Sequence, residues 1–114
     1  MKKRIEKKPW GREEIFAVND KASVKIININ KGKRLSLQRH KYRDEFLRVI
    51  EGIALITLGN KTRKYSKNKE VFVKRGTLHR IKALSEKLKV LEISFGKFDE
   101  KDIERIEDDF GRVK

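Results

Sequence analysis

In GKRLSLQRHKYRDEFLRVIEG, running from Gly32 to Gly52, two strand-like runs flank a polar connection. Leu35 to His40 alternates: Leu35 and Leu37 point to one side, Ser36, Gln38 and His40 to the other, which is the period of two that a β-strand imposes. Lys41 to Asp44 is polar, and Glu45 to Ile50 follows as a mostly apolar strand that Glu51 and Gly52 end. The same pattern continues on both sides. Val24 to Ile29 is closed by Lys31-Gly32-Lys33, and Ile53 to Leu58 runs into a hairpin turn at Gly59-Asn60-Lys61. Lys64 to Tyr65, Val71 to Val73, Leu78 to Ala83 and Leu88 to Phe95 supply further short strands. About eight strands at this spacing predict an all-β domain, a small closed barrel or jelly roll.

One helix is expected after them. Asp99 is a candidate N-cap with Asp102 three residues on, and Phe98 with Ile103 fits a hydrophobic staple. Ile103, Ile106 and Phe110 recur at helical spacing before Gly111, so a C-terminal helix would lay its apolar stripe on the barrel.

At 114 residues the chain fits a single domain spanning 1–114. It has no Cys, which excludes disulfides and any thiolate ligand or nucleophile. The formal charge of +14 favours anionic partners. No strand or helix concentrates that charge, and no run interleaves it with exposed aromatics, so a solvated basic surface is expected rather than a nucleic-acid footprint. Abundant Lys, Ile and Glu without Cys also fits a thermophile surface. No apolar run approaches the roughly 20 residues of a membrane span. The charged start Met1-Lys2-Lys3-Arg4 lacks an apolar stretch after it, so no secretory signal is read and the cytoplasm is the expected compartment.

Chemistry concentrates around the two histidines, His40 and His79. Gln38 lies two residues before His40 and shares its face. Glu45 shares a face with Leu47 and Val49, and a carboxylate among apolar neighbours is costly without a partner. His79 shares a face with Ile81 and Ala83, so it too points inward. Two neutral imidazoles, one carboxylate and one amide oxygen make a shell for Mn, Fe, Co, Ni or Zn. Nitrogen and oxygen ligands without thiolate favour a catalytic, water-bearing site over a closed structural one.

These residues resemble the cupin family. Gly32, five residues, Gln38-x-His40, four residues, Glu45, six residues and Gly52 reproduce its first motif, with Gln in place of the usual first His. Val71 to His79 resembles the second, including Gly76-x-x-His79, with Lys74 in place of the usual Pro and Ala83 in place of the usual Asn. Pro9-Trp10-Gly11, Leu35-Ser36-Leu37-Gln38-x-His40 and Glu107-Asp108-Asp109-Phe110-Gly111-Arg112 narrow the likeness to the type II mannose-6-phosphate isomerases. In bifunctional enzymes of that kind the domain follows a guanylyltransferase, of which no Gly-rich phosphate loop is present here.

The resemblance implies a double-stranded β-helix holding one divalent metal on Gln38, His40, Glu45 and His79, and commonly a homodimer. It implies interconversion of mannose 6-phosphate and fructose 6-phosphate through an enediol. Lys25, on the face of Ile27 and Ile29, is then a candidate proton-transfer base, or else the ion-pair partner of a buried carboxylate such as Glu92. Arg43 and Arg80, each beside a metal ligand, are candidate contacts to the phosphorylated hexose. Tyr42 and Phe46 stand where the family usually has His, which predicts a less polar surround. A different class stays open, a non-catalytic cupin that binds a sugar or nucleotide-sugar and regulates or assists a partner; polyanion binding through the diffuse charge is a third, and the same metal shell would also serve a cupin dioxygenase.

Overall fold

The computed structural model describes residues 3–19 and 21–113; Met1 and Lys2 of the charged start lie outside them. β1 (Arg4–Lys8) and β2 (Gly11–Ala17) form a hairpin that leads into β3 (Ser23–Asn30). β4 (Leu37–Arg39), β5 (Arg43–Glu51), β6 (Ala54–Leu58) and β7 (Lys61–Tyr65) follow, then β8 (Glu70–Val73), β9 (His79–Ala83), β10 (Lys87–Gly96) and β11 (Glu104–Glu107). One sheet has the order β1-β2-β3-β10-β5-β8 and the other β11-β4-β9-β6-β7. All pairings are antiparallel. This is a double-stranded β-helix, and the strands read from sequence correspond to β3 through β10.

The expected C-terminal helix is absent; residues 104–107 form β11 instead. The reason is tertiary. β4 pairs with β9 on one side only, and β11 covers its other edge, Glu104 opposite Arg39 and Arg105 opposite Gln38. An uncovered edge leaves backbone groups unpaired, and a short helix could not satisfy them. Asp99 closes only a turn, its carboxylate accepting from the Lys101 amide at 2.9 Å. Asp102 spends its carboxylate on the Lys41 and Tyr42 amides at 2.8 and 2.9 Å, across the barrel mouth. Phe98 makes no staple: it is buried with the Lys25 ammonium 3.9 Å and the Arg43 guanidinium 4.5 Å from its ring centre.

The barrel interior divides into two halves. Inward residues are apolar at one end, with Ile27, Ile29, Leu47, Val49, Ile81, Ala83, Leu88 and Val90 in one core cluster with Trp10. Along the same strands the inward side chains then turn polar: Ser23 and Lys25 on β3, Arg43 and Glu45 on β5, His79 on β9, Glu92 and Ser94 on β10. Register brings the polar ends together, Lys25 opposite Glu92 and Ser94 opposite Glu45. Each fully buried aliphatic side chain contributes roughly 1.5–3 kcal/mol, so the apolar half offsets the cost of desolvating the polar half.

Candidate metal centre

Two turns aim the site. The segment between β8 and β9 is tied to β5 by Asp44, which accepts from the Arg75 amide at 2.7 Å. Gly76, at φ 82°, makes the tight turn there, and its amide donates to the His40 carbonyl at 2.7 Å. The loops carrying the two histidines are thereby fastened to each other.

His40, Glu45 and His79 come together with their potential ligand atoms all within 4.8 Å of one another. All three are almost fully buried. Glu45 Oε1 lies 3.2 Å from His79 Nε2, and Oε2 lies 3.6 Å from His40 Nε2. Each imidazole is oriented from behind. His40 Nδ1 is 2.7 Å from the Asp102 carbonyl and His79 Nδ1 is 3.0 Å from the Thr77 carbonyl. A carbonyl can only accept, so each Nδ1 carries the proton it donates. That leaves Nε2 of both rings facing the carboxylate, the arrangement that fixes tautomers in metal sites.

Gln38 completes the group, with its Nε2 3.3 Å from His40 Nε2 and its Oε1 accepting from Ser36 Oγ at 2.6 Å. Because the Ser36 hydroxyl can donate or accept, a half-turn of the amide turns Oε1 toward the histidines and keeps the Ser36 bond. The donor set of imidazole, carboxylate and amide oxygen therefore fits a divalent cation. Arg43 reaches the same centre: Nε donates to Glu45 Oε2 at 3.0 Å and a terminal nitrogen donates to His40 Nε2 at 3.2 Å. That bond uses the lone pair a metal would take, so a cation binding here displaces one arm of the guanidinium.

The titrations divide sharply across this cluster. Burial, with the Arg43 charge adding to it, pushes His40 down to about 4 despite Glu45 nearby. His79 moves the other way: burial opposes its charge, but the Glu45 hydrogen bond and charge outweigh it and hold the imidazole above its ordinary value. Glu45 would be raised by burial, yet His79, His40 and Arg43 keep it well below the usual carboxylate range.

Lys25 sits in the same polar half, its ammonium 3.2 Å from Glu13 rather than paired with Glu92. Glu92 is a further buried carboxyl, facing Lys25 across the sheet, and burial followed by the Glu45 charge lifts it to about 8. Its inward position was legible from the alternation with Leu88 and Val90. Arg80 and Phe46, also singled out from sequence, lie away from this centre. Arg80 is held outside the barrel, its Nε on the Leu35 carbonyl at 2.8 Å and a terminal nitrogen on Glu107 at 2.6 Å. Tyr42 is half exposed on its loop, and Phe46 is on the outward face of β5, opposite Phe72. Phe46 therefore leaves the metal surround unchanged, whereas Tyr42 lines, together with His40, an outer cavity of about 1010 Å³.

Comparison with known proteins agrees with this architecture. Over 93% of its length the chain is 34% identical to the alginate biosynthesis protein AlgA of Pseudomonas aeruginosa and 29% identical to the mannose-1-phosphate guanylyltransferase ManC of Salmonella typhimurium. It spans only 22% of each of those proteins. Among solved structures, the capsular polysaccharide assembling protein CapF of Staphylococcus aureus superposes on 93% of the chain, covering 34% of CapF, with a TM-score of 0.79 at 19% identity. Oxalate decarboxylase of Bacillus subtilis superposes on 92% of the chain, covering 30% of that enzyme, with a TM-score of 0.77 at 20% identity. The fold and the buried His40–Glu45–His79 cluster define a cupin. Within that class the chain belongs to the family described as mannose-6-phosphate isomerase C-terminal, which it matches over residues 2–108.

Proposed function

We propose that this chain is a metal-dependent aldose–ketose isomerase that interconverts mannose 6-phosphate and fructose 6-phosphate through an enediol. The observation that carries it is the pair of imidazoles held by backbone carbonyls, Nε2 of both directed at Glu45, in a chain of the isomerase family. His40, Glu45 and His79, with Gln38 as the fourth ligand, would hold one ion of Zn, Mn, Co, Ni or Fe. Such an ion supplies Lewis-acid stabilisation of the oxygen on which negative charge develops as the C–H bond breaks.

The protein's own groups do the rest. A base must take the proton from C2 and return it at C1, or the reverse. Lys25 and Glu92 face each other in the polar half of the barrel, and the Glu92 carboxyl, ionising near pH 8, is matched to a proton that must move in both directions. Phe98 packs over the Lys25 ammonium and the Arg43 guanidinium and helps to bury both.

The functional unit is a homodimer. The outward face of the six-stranded sheet carries Val24, Ile26, Phe46, Phe72, Leu91, Ile93 and Phe95 in adjacent register positions. Phe72 and Phe95 are 48% and 43% exposed. Around them the charges are balanced, Asp44 with Arg75 and Arg48 with Glu70. On a chain of net charge +14, such a neutral face is where a second copy meets least repulsion.

The test is a coupled assay of mannose 6-phosphate conversion on protein stripped with chelator and reloaded with each metal in turn. Turnover that returns only with metal, and that His40→Ala or Glu45→Ala abolishes together with metal binding, supports the assignment. Turnover by metal-free His40→Ala refutes it. Ligand-induced stabilisation without turnover on any hexose phosphate favours the non-catalytic sugar-binding cupin.

A further inference from the structure

A single row of inward side chains crosses the five-stranded sheet, Arg105 opposite Gln38 and Gln38 opposite His79. Residues directly opposed in antiparallel strands project to the same side with Cβ atoms about 5 Å apart. Arg105 therefore stands on the same wall as the metal cluster, on the far side of Gln38. Among the described residues its Nε is buried without a hydrogen-bond partner. A buried donor without an acceptor is costly, and more so on a cation.

A second guanidinium is fixed beside it. Asp108, whose side chain is fully buried, binds Arg112 through Nε at 2.8 Å and a terminal nitrogen at 3.1 Å. That bidentate bond uses one edge of the Arg112 fork and fixes the plane of the rest. Burial first, and then the Arg112 charge, presses against the charged form of Arg105, and the Asp108 carboxylate, committed to Arg112, only partly offsets them. Both arginines line an inner cavity of about 220 Å³ that also touches Gln38, Arg43, Lys25 and Glu92. Both also line an outer groove of about 570 Å³. They stand where the outside meets the polar half of the barrel.

We propose that Arg105 and Arg112 form the anion anchor of the site, taking the phosphoryl group of a phosphorylated sugar and directing its carbonyl end past Gln38 toward His40, Glu45 and His79. This rests on the isomerase assignment for the identity of the sugar. A phosphoryl dianion supplies the acceptor that Arg105 Nε lacks and the charge that relieves the two cations, and the planar fork matches its oxygens. Arg80 does not compete for this role, being committed to Glu107 and the Leu35 carbonyl.

The experiment is calorimetric titration of metal-loaded wild type, Arg105→Met, Arg105→Lys and Arg112→Lys with mannose 6-phosphate, inorganic phosphate and unphosphorylated mannose. Metal content and thermal stability are measured on each protein. Arg105→Met is expected to weaken mannose 6-phosphate and phosphate binding by roughly 10- to 100-fold and to leave metal content and mannose binding unchanged. Since it removes an unpartnered buried donor, it should not lose thermal stability. Arg105→Lys restores part of the affinity as a point charge without the fork, and in turnover KM rises more than kcat falls. Affinities for phosphate and mannose 6-phosphate within twofold of wild type in both Arg105→Met and Arg112→Lys overturn the anchor, as does a folded wild type that binds neither anion. Phosphate binding lost in Arg105→Met, in a wild type that isomerises nothing, leaves the anchor standing and overturns the isomerase instead.

Discussion

Glu92→Gln isolates the cost of keeping a carboxyl inside the barrel. Burial, and after it the charge of Glu45, lifts this carboxyl from an ordinary 4.5 to about 8. In the unfolded chain it ionises near its ordinary value, so between those two pH values the folded protein holds a proton that the unfolded chain has lost. The stabilisation is fully present below pH 4.5 and is lost as pH rises toward 8. Each pH unit in that window is worth about 1.4 kcal/mol, and the whole window about 4–5 kcal/mol. Against a total stability of roughly 5–15 kcal/mol for a domain, a loss of that size decides how well the protein stays folded at alkaline pH. Glutamine is a neutral isostere of the protonated acid and should be free of it. Urea unfolding of wild type and variant, with chelator present, at half-unit steps from pH 5 to 8.5 reads the difference directly. His40, on which Glu92 does not act, contributes alike in both proteins, while His79 loses in the variant the last of the influences that raise it, the Glu92 charge. The variant is expected to gain on wild type steadily as pH rises, by several kcal/mol at pH 8 relative to pH 5. Parallel curves would refute the buried, protonated carboxyl.

Three further outcomes follow from the same geometry. His79 is held above its ordinary value by Glu45, and a metal needs its neutral ring. Metal binding near pH 6.5 should therefore release a proton and weaken up to about tenfold per pH unit on acidification; calorimetry in two buffers of different ionisation heat detects the proton, and its absence counts against the His79–Glu45 pair. Phe72→Glu places a charge in the middle of the apolar outward face, and sedimentation should show wild-type dimers and variant monomers. Gly52 has φ 90°, and a Cβ there would lie 2.0 Å from the Lys87 carbonyl oxygen. Gly52→Ala is expected to cost about 3 kcal/mol or more, visible as a large fall in thermal midpoint.

β3, β5 and β10 were legible because each alternates a buried face with a more exposed one, and inward Glu45, Glu92 and Lys25 stood out as charges in apolar phase; the shorter β4 and β7 were marked instead by the turns that bound them. The hairpin β1–β2 was not legible. RIEKK and GREEIFA are dominated by charges, and they become strands because β3 offers an open edge to pair with. β11 misled for a related reason. Ile103, Ile106 and Phe110 do fall at helical spacing, but the bare edge of β4 and the commitment of Asp102 to the Lys41 and Tyr42 amides outweigh that local preference. Arg80 was legible only as a neighbour of His79; alternation sends it to the opposite face, where Glu107 holds it.

What the sequence alone determined is the all-β class, the inward faces, and the ligand candidates Gln38, His40, Glu45 and His79, because period-two alternation is a local property of the backbone. The tertiary structure decided the rest. It set which carbonyl fixes each imidazole, the split of His40 and His79 to opposite sides of their ordinary value, the partner of Lys25, and the placing of Arg105 beside Gln38. Those depend on pairings between residues far apart in the chain, such as His40 with Asp102 and Gln38 with Arg105. Burial and charge act through distances that only the closed barrel sets.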